Sequence, residues 1–497
     1  MDSKKVVLGL GLLLVIAFLG CAEQAPTPTP TPTTPVATTP VVTTPPVTTP
    51  PVTTPPPATP TPTPVPTPKT TPPVSAEPIA ICALFDPRVP AFKAAVEAIR
   101  AAADKINAEG GIMGRKVVVY HEDTQRKVDL AITAYRSAVI EKKCKIVFVE
   151  GVTEEVMALI EEGAKIYPSR PHIMFSSQAG METTQKVINE YDKYKFYFRC
   201  LPPDPDLNYN VAKWFFDIAK NVIGAKRVAL ILEDAAWTKC AREGCYFETK
   251  LGPISAKPMR QWVQDEFGLQ VVYVAHAAVM EKNFLPMFEQ IAANKADFIF
   301  VLSSWYTDTV TATKQWASSS ARNIPIAFFG GTAQWMAQWN LTGGANLGTI
   351  AMNYDYEGIA PISPTTIPVI KSLHARGISL DTSAHYYYSE TFRIKEAMEK
   401  VGNPDDIDAV IKAIEELQFV NHSSIPVKWN YLGFKNANFH SYVGGPTLNA
   451  QVQCNGIPVY IMRPEVMQEH EWPEEIVKMM NPKAYKPPAE LRKICGS

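Results

Sequence analysis

The chain has 497 residues, 46% of them hydrophobic and 20% charged, with 48 lysines and arginines against 49 aspartates and glutamates. That near-neutral balance excludes a protein built around a polyanion, so no nucleic-acid partner is expected, while the apolar content supports a folded core. The 44 prolines would argue against such a core if they were evenly spread, but they crowd into the N-terminal part of the chain.

Residues 1–21 place Lys4 and Lys5 ahead of the apolar stretch "VVLGLGLLLVIAFLGC", the layout of an export signal peptide. The stretch from Val6 to Leu19 is shorter than the roughly 20 residues that a bilayer-crossing helix needs. An uncleaved signal anchor is the alternative. Gly20-Cys21 resembles the end of a lipobox, which implies Cys21 as a lipid attachment site. Residues 22–76 repeat Pro and Thr with almost no charge and no aromatic side chain. Such a tract favours extended polyproline II and acts as a semi-rigid stalk with threonines open to sugar. Asn340 in "NLT" and Asn421 in "NHS" are further acceptor tripeptides for an exported chain.

Beyond residue 76, short β-branched runs alternate with longer amphipathic stretches. "PIAICALF", "KVVVYHED", "KIVFVEG" and "HIMFSS" are separated by helical patterns such as "AFKAAVEAIRAAADKINAEGG" and "EEVMALIEEGAKI". The rhythm restarts at "RVALILED" and runs through "QVVYVAHA", "DFIFVLSS" and "IPIAFFGG". This predicts an α/β fold with parallel sheets and right-handed crossovers, in two similar lobes because about 420 residues exceed what one core usually holds. Ligands of open parallel sheets bind beyond the carboxyl ends of the strands. Those ends here are "FDP" at Phe85, "EGVTEE" at Glu150, "FSSQAG" at Phe175, "LEDAAW" at Leu232 and "LSSWYTD" at Leu302, all rich in hydroxyls, carboxylates and aromatics.

Seven cysteines follow Cys21, and an odd number cannot all pair. There is no CxxC and no Cys/His cluster with zinc spacing, so no metal is expected. Cys240 and Cys245 in "KCAREGC" are the expected disulfide, whereas Cys82, inside an apolar strand, reads as a buried free thiol.

The ordered series "ADKINAEGGIMGRKVVVYHED", "KIVFVEGVTEE", "IMFSSQAG", "YFRCLPPDPD", "RVALILEDAAW", "EKNF" and "AHYYYSETFRIKEAMEKVGNPDDIDAVIKAIEEL" resembles the type I periplasmic binding proteins of the leucine/isoleucine/valine-binding class. These are substrate-binding subunits of branched-chain amino acid ABC transporters. The resemblance implies two Rossmann-like lobes joined by three crossovers: residues 77–203 with 333–425, and residues 204–332 with 426–497. It also implies an amino-acid-like ligand clamped between the lobes, a permease pair with ATPase subunits as partners, a monomer, no cofactor and no catalysis. Thr153 and the turn Ser176, Ser177, Gln178 and Ala179 match positions that hold a ligand carboxylate. Asp204 and Asp308 match the positions that bind its ammonium. Trp237 matches a tyrosine on the cleft wall, and Phe92, Trp305 and Tyr306 fall near other lining positions, with core packing the preferred role for Phe92. Of Tyr386 to Tyr388, at least two are expected to pack.

With the stalk, this reading places the protein at the cell surface, tethered to the outer face of the cytoplasmic membrane. Amides, urea or small aromatic acids are alternative solutes. An extracellular hydrolase is the competing class, but GxSxG, HExxH and P-loop patterns are missing from the sequence. A sensor using the same fold would need a separate signalling partner, because "NPKAYKPPAELRKICGS" carries no apolar span.

Overall fold

The structure is a computed structural model that describes residues 77–177, 180–380, 382–417, 447–470 and 472–496. The proposed signal peptide with Cys21, the stalk, and Asn421 lie outside them. Five strands, β1 (Ile79–Leu84), β2 (Val117–Glu122), β3 (Ile146–Val149), β4 (Ile173–Ser176) and β5 (Tyr197–Arg199), form one all-parallel sheet in the order β2-β1-β3-β4-β5. Every residue of β1, β3, β4 and β5 is buried, as strands covered on both faces require, while the edge strand β2 is partly exposed.

The second sheet is built from β6 (Arg227–Asp234), β9 (Gln270–Ala278), β10 (Phe298–Leu302), β11 (Ile326–Phe329), β12 (Ile350–Met352), β13 (Asn449–Val452) and β14 (Pro458–Tyr460). Its order is β14-β13-β12-β11-β10-β6-β9, with β13 and β14 antiparallel. Between β6 and β9 a separate antiparallel pair, β7 (Cys245–Phe247) and β8 (Ile254–Ala256), stands apart. In each sheet the first strand is flanked by the second on one side and the third on the other. Each therefore has a topological switch point, at β1/β3 and at β6/β10.

The chain leaves the first sheet after β5 and stays with the second through β12. It returns to the first lobe with the helices Thr366–His374 and Thr382–Val401, which pack on the helix Pro90–Ala108, and rejoins the second sheet at β13. The return to the first lobe thus comes after Met352, later than the division at 333 drawn from sequence. The Pro90–Ala108 helix can lie close to Thr382–Val401 because its buried face carries alanines at 94, 98 and 102, spaced one turn apart.

Among the described residues three disulfides are formed, Cys82–Cys144, Cys240–Cys245 and Cys454–Cys495, and Cys200 is a free, buried thiol. The expected Cys240–Cys245 bond is present. The free-thiol reading of Cys82 is corrected: the parallel β1/β3 pairing sets Lys145 beside Ala80, which brings the neighbouring Cys144 within bonding distance of Cys82 at a Cα separation of 5.8 Å. A buried apolar strand is as good a place for a disulfide as for a thiol.

Where the chain passes from β12 back to the first lobe, the fully buried Asp355 accepts backbone N–H groups of Met336 (2.9 Å) and Leu380 (2.7 Å) and pairs with His374 at 2.6 Å. His374 also reaches Glu357 at 2.7 Å. The Asp355 hydrogen bond, opposed by burial and aided by Glu357, raises the imidazole from 6.5 to about 9. A raised histidine stabilises fully below its unfolded value and loses that contribution as pH climbs through the folded one. His374→Gln is therefore expected to destabilise the protein by about 2 kcal/mol at pH 6, with the gap closing toward pH 10. Chemical denaturation of both proteins across that range checks it.

Candidate functional site

The carboxyl ends of both sheets open on one cavity of about 510 Å³ between the lobes, well inside the range for small-molecule sites. From the first lobe come Phe92, the segment Glu150 to Glu154 after β3, and Ser177 after β4. The second lobe contributes Glu233 to Trp237 after β6, Ser303 to Tyr306 after β10, and Phe329 and Gly330 at the end of β11. Tyr354 and Tyr386 complete the aromatic wall. Both switch points therefore face the same space, as the fold rule requires of a ligand site. Gly330 has φ +92°, and a Cβ there would overlap the Ser303 carbonyl oxygen. Only glycine lets the end of β11 approach the β10 loop this closely.

The rings are held on both sides. Phe92 packs edge-on against Tyr306 of the other lobe at 5.7 Å between centroids, and Trp237 lies 6.2 Å from Phe329. Phe92 is buried and part of the core while also lining the cavity, so packing and lining coincide there. Near it, Arg126 joins the lobes: it pairs with Asp86 at 3.3 Å, sits over the Tyr306 ring at 5.3 Å and donates to Met280 Sδ at 3.1 Å. Tyr386 lines the cavity, whereas Tyr387 is buried and Tyr388 packs on Phe392.

Polar groups on the wall are arranged around two glutamates. Glu233, at the end of β6, is buried and accepts from Trp237 Nε1 (2.9 Å), Ser304 Oγ (2.9 Å) and Thr307 Oγ1 (2.8 Å). Burial raises its carboxyl above the usual range, against the pull of those donors. Glu150, the first residue after β3, accepts from Ser177 N–H (3.2 Å), from the Ser177 hydroxyl and from the Tyr387 hydroxyl. Both glutamates stand in strand-end segments that the sequence marked, "EGVTEE" and "LEDAAW", but neither was chosen as a site residue, because the donors that converge on them come from other elements. The usable signal was that each occupies the carboxyl end of a strand beside a switch point. Among the described lining residues Arg242 is the one cation, and it is already engaged by Asp234 and Glu243, each at 3.0 Å.

Of the sequence-chosen residues, Thr153, Ser177, Trp237, Phe92, Trp305 and Tyr306 line the cavity. Gln178 and Ala179 lie outside the described residues. Ser176 does not line it; its hydroxyl is turned into the core against Tyr197 OH at 2.7 Å.

The two aspartates chosen for ammonium binding are corrected, because neither lines the cavity. Asp204 is buried and accepts from Met181 N–H at 2.8 Å, so it serves the exposed donors at the start of the helix Met181–Asn189. Arg199 braces the same turn through the Gly180 carbonyl at 2.6 Å. Burial, reinforced by Glu182 and opposed by Arg199, pushes the Asp204 carboxyl well above the usual range. Asp308 caps the helix Thr309–Ser318 through Thr311 N–H at 2.9 Å and pairs with Lys282 at 2.7 Å. Burial opposes ionisation there, but Lys282 and Thr311 outweigh it and hold the carboxyl low. Among the described residues no cluster of His, Cys, Asp and Glu side chains is gathered that could hold a metal ion.

No curated protein sequence matches the chain. The periplasmic binding protein family profile matches residues 87–433. Among solved structures, the isoleucine complex of the branched-chain amino acid transporter substrate-binding protein LivJ from Streptococcus pneumoniae superposes with a TM-score of 0.56 at 13% identity, over 77% of this chain and 98% of that one. The leucine-binding protein LivK of Thermotoga maritima gives 0.55 at 16% identity, over 76% and 97%. A solute-binding protein of an ABC transporter from R. palustris, in complex with 4-hydroxybenzoate, gives 0.57 at 15% identity, over 78% and 96%. At these identities the superpositions establish the fold, and the profile, covering well over half the residues, establishes kinship. With two parallel lobes whose switch points share one cavity, the chain belongs to the periplasmic binding protein family.

Proposed function

We propose that this protein is the extracellular solute receptor of an ABC importer, and that it captures a small amine related to the amino acids between its lobes. It delivers the solute to a permease pair driven by ATPase subunits. The lipid on Cys21 and the Pro/Thr stalk would hold it at the outer face of the cytoplasmic membrane. One observation carries the reading: a cavity of about 510 Å³ walled by aromatic rings and carboxylates from both strand-end switch points. Among the described lining residues four are acidic, Glu150, Glu154, Glu233 and Asp234, against the one guanidinium of Arg242, a balance that favours a cationic group in the solute. Aromatic faces cover an apolar body and attract a cation alike.

Binding involves no bond making. A solute that touches both walls stabilises the closed arrangement by its differential contacts, and that arrangement is what a permease can read. The Phe92–Tyr306 contact and the Arg126 bridge are the protein's own share of closure. Trp237→Ala removes the largest ring of the β6 wall and is expected to weaken solute binding by about 2 kcal/mol, some thirtyfold. A thermal-shift screen of amines, amino acids and amides on the full chain, followed by calorimetry of the best solute against wild type and Trp237→Ala, tests this. An unchanged affinity in the variant would remove the cavity as the site.

A further inference from the structure

The turn after β4 is where a bound carboxylate would be expected, because a backbone N–H and a serine hydroxyl converge there. In this protein they converge on the protein's own carboxylate. Ser177 N–H points to Glu150 Oε1 at 3.2 Å and to the Tyr387 hydroxyl at 2.9 Å, and the Ser177 hydroxyl and Tyr387 hydroxyl both donate to the same Glu150 oxygen. Tyr387 also reaches the Val149 carbonyl at 3.1 Å, which fixes it in place. Glu150 and Ser177 are each at most 3% exposed, and both line the cavity.

We infer that Glu150 is a built-in anion that fills this protein's carboxylate-binding turn, so that the cavity selects an organic amine without a carboxylate over the corresponding amino acid. The inference rests on the receptor reading above. Among the described residues of that turn, the Ser177 N–H and the Ser177 hydroxyl are spent on Glu150. A second carboxylate brought beside it would meet a like charge at short range with Ser177 already engaged. Among the described lining residues the one guanidinium, Arg242, offers no replacement, being shared between Asp234 and Glu243. An ammonium group meets the opposite situation: Glu150 on one wall, Glu233 on the other, and rings between them.

Calorimetry of the full chain with two matched sets tests this: 2-phenylethylamine, L-phenylalanine and 3-phenylpropionate; isopentylamine, L-leucine and 4-methylpentanoate. In at least one set the amine should bind at least about tenfold more tightly than the amino acid, with the acid weakest. Glu150→Gln, which keeps an acceptor for Ser177 but removes the charge, should bring that ratio close to one. An amino acid that binds as tightly as its amine overturns the inference and leaves the receptor reading standing, as does a ratio unchanged in Glu150→Gln. Silence from all six compounds removes both. Should Glu150→Gln fail to fold, the wild-type ratio decides alone.

Discussion

Glu233→Ala is expected to weaken solute binding about a hundredfold or more, the largest effect of any single change on the wall. The carboxylate stands at the end of β6 and ties three groups together: the Trp237 indole on its own lobe edge, and Ser304 and Thr307 on either side of Trp305 and Tyr306. Each hydrogen bond to a charged group contributes about 1.5–3 kcal/mol, and truncation leaves an indole N–H and two hydroxyls without that partner. Three aromatic lining residues lose their fixed positions together, so the damage exceeds the loss of one charge. Glu233→Gln should do less harm, since its carbonyl oxygen can still accept. The carboxyl is raised by burial, so affinity for a cationic solute should also fall on acidification, earlier than an ordinary exposed glutamate would allow. Calorimetry of wild type, Glu233→Ala and Glu233→Gln over a pH series reads all of these. Equal affinities in wild type and Glu233→Ala would show that the β6 end does not shape the site.

The largest expected effect on stability comes from the Cys82–Cys144 bond. It joins strand β1 to the entry of β3, the central strand of the sheet, and spans 62 positions of sequence, enclosing β2 and the helices Pro90–Ala108 and Val128–Arg136. In the chain-entropy description, opening a loop of that size costs about 4 kcal/mol, against about 2 kcal/mol for the five-position spacing of Cys240–Cys245. The paired substitution Cys82→Ala/Cys144→Ala should therefore lower the free energy of unfolding by roughly twice as much as Cys240→Ala/Cys245→Ala. Denaturant titration of the three proteins under non-reducing conditions measures the difference. A larger loss at Cys240–Cys245 would contradict the ordering.

Much of this was legible in the chain itself. Alternation of "KIVFVEG" and "RVALILED" strands with amphipathic helices required parallel sheets, and the family resemblance picked out Thr153, Ser177, Trp237, Trp305 and Tyr306, which all line the one cavity. The failures share a cause. An aspartate that caps a helix and one that binds a ligand present the same residue type in the same strand-to-helix loop, so Asp204 and Asp308 could not be told from site residues until Met181 N–H, Thr311 N–H and Lys282 were seen to hold them. Glu150 and Glu233 were hidden for the complementary reason: which donors converge on them depends on Tyr387, Ser177, Ser304 and Thr307, brought near by the sheet order and not by sequence distance. The edge strands β13 and β14 and the pairing of Cys82 likewise depend on contacts far along the chain. The stalk rests on composition, and Cys21 on the resemblance of Gly20-Cys21 to the end of a lipobox.

The decisive measurement is a crystal structure of the complex with the first solute that gives a one-to-one calorimetric titration. Solute density should lie between Trp237 and Tyr306, in contact with residues of both lobes and with its amine directed at Glu150 or Glu233. Density on the outer surface, or a solute held by one lobe alone with the aromatic walls untouched, would contradict the two-jawed receptor.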